Sequence, residues 1–146
     1  MGKNPLRLTN YLDMGAELNR GERMGLDMFL DGVWREGEKT CREQVIYWRK
    51  ANAVHRWFVS NAQDGVDNCA RYSVSRKQLE MLMNCCQTVL DDMSKAEELL
   101  PTASGFFFGD TSYGEDYAFD LKYTVEKIGE VLSDEKYEFF EYMSWW

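Results

Sequence analysis

Thr40-Cys41-Arg42-Glu43-Gln44-Val45-Ile46-Tyr47-Trp48-Arg49-Lys50-Ala51-Asn52-Ala53-Val54-His55-Arg56-Trp57-Phe58 is the stretch on which the fold turns. Thr40 followed by Glu43 has the form of a capping box, and it predicts a long helix from Cys41 to Asn61. On that helix Tyr47, Ala51, Val54 and Phe58 form one stripe, and Trp48, Asn52, His55 and Val59 form the adjoining one. Asn52 and His55 then lie among apolar neighbours, where a buried polar group needs a partner. They are either core groups bonded to other protein atoms or the polar handles of a binding pocket.

Downstream, Gln63 to Asn68 reads as a turn-rich connection. Ser75 with Gln78 makes a second capping box, and Val74 is placed to staple against Leu79. Leu79, Leu82, Met83, Cys86, Val89 and Leu90 recur at helical spacing, so a second long helix should end near Met93. Ser94 to Leu100 adds a short helix that Pro101 terminates. Phe106-Phe107-Phe108, bounded by Gly105 and Gly109, favours a short buried strand. A third long helix begins between Thr111 and Asp116, with Tyr117, Leu121, Thr124, Val125, Ile128 and Leu132 inward. The aromatic tail from Tyr137 to Trp146 is read as a docked terminal segment, in the form of a strand.

Upstream, residues 1–39 are broken by Gly2, Gly15, Gly21, Gly25, Gly32 and Gly37 and predict an irregular segment packed on the core. Within it Met28 to Leu30 and Val33-Trp34 read as short strand pieces around an Asp31-Gly32 turn, or as part of a short helix. Residues 40–146 form the helical core of the same domain. The expected class is α+β: an α-rich single domain with three principal helices and a small sheet.

A chain of 146 residues that is 45% hydrophobic buries a core without disulfides or metals. No apolar run approaches the roughly 20 residues that span a bilayer, and Met1 to Arg7 lacks the apolar core of a secretory leader. The four cysteines include no CxxC, which argues against structural zinc and for reduced thiols. The net charge of −8 is polarised, with 14 Asp/Glu and 4 Lys/Arg among residues 91–146. Direct nucleic-acid binding is disfavoured by that acidic remainder. The cations between 40 and 77 instead suit a local anionic ligand.

Three classes of function compete. In the first, Arg49, Lys50 and Arg56 neutralise phosphate, Tyr47, Trp48 or Trp57 stacks on a base, and Asn52 and His55 read polar edges. One helix cannot aim all of these at one volume, so a second wall is needed. Ser104, Gly105, Phe107, Gly109, Thr111 and Tyr113 are the residues expected to supply it. The plainer reading of each residue alone is a core aromatic or a surface cation. In the second, Cys69, His55 and Asp67 act as thiol, base and orienting acid, which only the residue types support. Asp64 with Asp67, Asp91 with Asp92, or Asp116 with Asp120 has carboxylate oxygens for a divalent ion, but the loop lacks the ligand order of an EF-hand. No metal or other cofactor is expected. In the third, the acidic third helix and tail occupy a host nucleic-acid-binding protein, and exposed tail aromatics support homo-oligomerisation.

The strings Tyr47 to Phe58, Asp64-Gly65-Val66-Asp67 with Cys69, and Leu99-Leu100-Pro101-Thr102 with Ser104 to Gly109 together resemble a widespread family of small bacteriophage proteins without an established biochemical role. The resemblance covers about residues 45–130. It implies a phage origin and action in the cytoplasm of an infected bacterial host, and it transfers no catalytic residues. The expectation carried forward is a non-enzymatic protein that sequesters an anionic, nucleotide-like host defence signal. The alternative is an acidic inhibitor of a host defence or nucleic-acid-processing protein.

Overall fold

A computed structural model of the chain describes residues 25–105 and 108–146. Expectations for residues 1–24 and for Phe106 and Phe107 lie outside the described residues. The chain runs β1 (Asp27–Glu36), β2 (Lys39–Arg49), α1 (Asn52–Ala62), β3 (Tyr72–Val74), α2 (Arg76–Asp91), a 3-10 turn (Met93–Lys95), α3 (Ala96–Leu99), α4 (Glu115–Leu132) and β4 (Phe139–Trp145). All strand pairs are antiparallel, in the order β2-β1-β4-β3. The class is mixed α+β. The sheet is larger than expected, and the described residues form four helices, of which the four-residue α3 lies within the short helix expected over Ser94 to Leu100.

The first half of the predicted helix is a strand. Val45-Ile46-Tyr47-Trp48 is β-branched and aromatic, the composition that packs best on a pleated sheet. Its alternation is hidden by a bulge: Leu30 pairs with Ile46 and Asp31 with Gln44, leaving Val45 as the extra residue. Val45 and Ile46 are therefore both buried, and two adjacent inward residues imitate a helical stripe. The Thr40 and Glu43 capping box does not form. Thr40 pairs across the ladder with Arg35, while Glu43 accepts a hydrogen bond from the Tyr137 hydroxyl and an ion pair from Lys136 at 3.2 Å. The Tyr137 bond is the main reason the Glu43 carboxyl titrates below its usual range.

The expected irregular segment contributes the ten-residue β1. Asp31 and Gly32 are inside that strand, and the hairpin turns instead at Gly37, whose φ of +65° a side chain would strain. Gly32 is required by packing, since a Cβ there would overlap the Tyr137 ring. The aromatic tail does form a strand, and β4 lies inside the sheet between β1 and β3. Phe108 sits in a bend rather than a strand.

One sheet face carries Met28, Leu30, Trp48, Phe140, Tyr142 and Val74 into the core. The helices meet it with Val54 and Phe58 from α1, Leu79, Leu82 and Cys86 from α2, and Leu121, Ile128 and Val131 from α4. The Ser75 capping box forms, with Gln78 N–H donating to Ser75 Oγ and Ser75 N–H to Gln78 Oε1. Arg76 then donates to the carbonyls of Leu132 (2.5 Å) and Tyr137 (2.7 Å), satisfying chain ends where α4 stops. No described helix is long and apolar enough to cross a membrane.

Gly32→Ala is expected to destabilise the fold by roughly 1–3 kcal/mol, the usual range for overpacking a core. Urea unfolding of the variant, alone and combined with Tyr137→Leu, checks this. Loss of the defect in the double variant identifies the ring as the cause.

Candidate functional site

The side chains that looked reactive in sequence are divided by the turn between β2 and α1. Lys50 occupies that turn with φ of +56°, its N–H donating to the Leu26 carbonyl at 2.7 Å. Trp48, on the strand side, is 2% exposed and donates its indole N–H to Thr124 Oγ1 at 2.9 Å. It belongs to the core and cannot stack on a ligand. Tyr47 points to the opposite sheet face and hydrogen-bonds to Asp27, which also holds Arg49 at 2.9 Å. Burial, then Asp27, pushes the Tyr47 hydroxyl upward in pKa. Arg56 is exposed and donates to the Thr102 carbonyl at 3.0 Å.

Every side-chain polar atom of Asn52 and His55 has a hydrogen-bond partner within the protein. Asn52 Nδ2 donates to the carbonyls of Phe108 (3.0 Å) and Asp110 (2.9 Å), and its Oδ1 accepts from Ala103 N–H at 2.9 Å. His55 is fully buried, with Nε2 at 2.9 Å from Asp67 Oδ1 and Nδ1 at 2.6 Å from the Tyr142 hydroxyl. A carboxylate accepts only, so Nε2 carries the proton and Tyr142 O–H donates to Nδ1. Phe108 meets the imidazole edge-on, and Phe58 stacks on Tyr142 with centroids 3.9 Å apart. Burial lowers the His55 pKa, with Asp67 pulling the other way.

These contacts do bring the loop after Pro101 against the start of α1, as the expected second wall required. Its residues divide, however. Gly109, at φ of +87° with the Lys50 Cβ close by, lines a cleft. Ser104, Gly105, Thr111 and Tyr113 do not line it. Thr111 gives its carbonyl to Thr102 Oγ1, and Tyr113 accepts from Thr102 N–H and packs on Tyr117. Phe107 lies outside the described residues.

The cleft holds about 260 Å³. One wall is Arg49, Lys50, Asn52 and Ala53, the second is Thr102, Gly109, Asp110 and Ser112, and the third is the start of α4, with Asp116, Tyr117, Phe119, Asp120 and Leu121. Asp110 is committed to an Asx turn, accepting from Ser112 N–H (2.9 Å) and Oγ (2.6 Å), which holds its carboxyl below the usual range. Asp120 is raised to about 7, first by burial and then by the like charge of Asp116 one helical turn away. Asp110 and Ser112 fall within the Ser104 to Tyr113 stretch expected as the second wall, whereas sequence reasoning missed Ala53, Thr102, Tyr117, Phe119 and Leu121 as cleft residues. The spacing of Asp116 and Asp120 was the available signal, because residues four apart share a helix face.

The thiol chemistry is not assembled, since both ring nitrogens of His55 are engaged by Tyr142 and Asp67, leaving neither for Cys69. Cys41, Cys69, Cys85 and Cys86 are free thiols. Among the described residues, no group of three or more His, Cys, Asp or Glu is gathered to hold a metal ion.

Asn52→Ala strands two carbonyls and one N–H, and should cost about 2–3 kcal/mol. Hydrogen exchange should speed up at Ala103 and Phe108 before it does in the sheet. The two titrating sites oppose each other with pH. Depressed in the fold, His55 removes stability as pH falls below its unfolded value of 6.5. Raised in the fold from 3.8 to about 7, Asp120 adds stability in acid that is lost as pH rises through 7. Asp120→Asn should therefore stabilise the protein at pH 8, on the order of 1 kcal/mol after solvent screening, and change little at pH 4. Equal urea midpoint shifts at both values would refute the assignment. Comparison with family models, curated proteins and solved structures returned no match for this chain, so the functional reading rests on the cleft.

Proposed function

We propose that the protein is a non-catalytic binding module that captures a small polar molecule in the cleft between Lys50, the Asp110 loop and the start of α4. The observation that carries this reading is the convergence of three separate chain segments on one concave volume edged by charged side chains and Phe119. Among the described residues the one histidine is spent on Asp67 and Tyr142 rather than set beside a nucleophile, which favours capture over turnover. The resemblance of the chain's motifs to small phage proteins is the reason to look for that molecule, as a host defence signal, inside an infected cell. Arg49 and Lys50 suit the expected anionic, nucleotide-like ligand, but Asp110, Asp116 and Asp120 across the cleft oppose a highly charged phosphate.

Native mass spectrometry of protein purified from infected cells is expected to show a retained small molecule. Ser112→Trp, at an exposed cleft position, should remove it while leaving thermal stability within a few degrees of the parent. Masses that match the bare polypeptide for both the parent and the variant would sink the reading.

A second reading is favoured by the exposed acidic face of α4, where Glu115, Glu126 and Glu130 accompany Phe119, which is 60% exposed. In this reading the face occupies a basic surface of a host protein. Charge reversal at Glu126 and Glu130 should then weaken a purified host complex at least tenfold by calorimetry. An unchanged affinity would exclude that face.

A further inference from the structure

The charged groups of the cleft differ in whether the protein already uses them. Arg49 has Asp27 as counter-ion through Nη1, although its Nη2 is buried without a hydrogen-bond partner among the described residues, and Asp110 is satisfied by Ser112. Lys50, Asp116 and Asp120 all line the cleft without a side-chain hydrogen bond or ion pair to any described residue. Lys50 extends between Gly25 and Gly109, where its methylenes crowd both glycines, so its stem is fixed by packing. The lysine and the two aspartates belong to opposite walls and do not bridge each other. Opposite charges that line one cavity, each without a counter-ion among the described residues, complement a ligand that carries both signs.

We propose that the cleft binds a small zwitterion of the amino-acid type, its acid group on Lys50, its ammonium between Asp116 and Asp120, and its side chain against Phe119. The inference rests on the cleft being a ligand site. Three physical points select this class. A polyphosphate would face two unpaired carboxylates, whereas a simple amine would leave Lys50 without a counter-charge. At about 260 Å³ the volume falls just under the roughly 300–1,000 Å³ usual for drug-sized ligands, which suits a smaller molecule. An ammonium between the aspartates also relieves the repulsion that helps hold Asp120 protonated.

Calorimetry on the full chain with phenylalanine, phenethylamine, 3-phenylpropionate and AMP tests this. Phenylalanine is expected to bind at least tenfold more tightly than the amine or the acid. Both Lys50→Met and the Asp116→Asn, Asp120→Asn double variant should lose it, with unfolding midpoints confirming that each variant is folded. Tighter binding of AMP, strengthened in the double variant, would overturn the zwitterion while leaving the cleft a ligand site. Equal binding of phenethylamine and phenylalanine would likewise overturn it. If none of the four binds, the inference falls. A retained molecule in the mass spectrum then separates that failure from failure of the cleft itself.

Discussion

The polar side chains of α1 dictate where two loops must lie. A buried amide or imidazole without a partner costs about 1–3 kcal/mol, so Asn52 and His55 are tolerated only because distant segments come to them. Asn52 draws Ala103, Phe108 and Asp110 onto the first turn of α1, spanning more than fifty residues of sequence. His55 joins Asp67 from the loop after α1 to Tyr142 at the centre of the sheet. One helix of eleven residues thereby positions both flanking loops. The cleft is a by-product of the first set of bonds, since the carbonyls of Phe108 and Asp110 are held where Gly109 and Asp110 form its wall.

This arrangement resolves the alternatives left open by the sequence. Core and pocket are not exclusive for Asn52: its amide is saturated by the protein, and its flank also lines the cleft. It builds the site without offering a free polar group to a ligand. His55 is core alone, and its triad-like neighbours are explained by burial. Tyr142 O–H needs an acceptor inside the protein, Nδ1 supplies it, and Asp67 sets the tautomer that makes Nδ1 available.

Much of the helical part was legible because its signals are local. Ser75 with Gln78, the stripe from Leu79 to Val89, and Tyr117 to Ile128 each state a period and a boundary within a few residues. The β1 and β2 hairpin was not legible, for a physical reason. Sheet pairing is long-range, and the extra Val45 destroys the period of two on which strand recognition depends. Tyr72–Val74 was missed because three residues carry no period at all. Reading Cys41 to Asn61 as one helix merged two surfaces that the turn at Lys50 separates, which is why Trp48 and His55 were placed in a pocket.

The same turn explains why the cleft has two signs of charge. Ending β2 at Arg49 puts that residue beside Asp27, its partner across the hairpin, which holds Nη1 while Nη2 is buried without a hydrogen-bond partner among the described residues. Lys50, the next residue, has a positive φ, and its stem packs over Gly109 and Gly25. Adjacent cations in the sequence thus differ at the same cavity: Arg49 lines it with Asp27 as counter-ion, and Lys50 lines it with no side-chain partner among the described residues. Across from it, α4 begins with its acidic residues in the first two turns, where the helix dipole favours them at its N-terminus. The dipole accounts for Glu115 and Asp116 near the start. It does not account for Asp120, which lies a turn further in and is partly buried, where the charged form is opposed. A partly buried carboxyl with no partner among the described residues is hard to justify by stability, and the cleft in front of it supplies the missing reason.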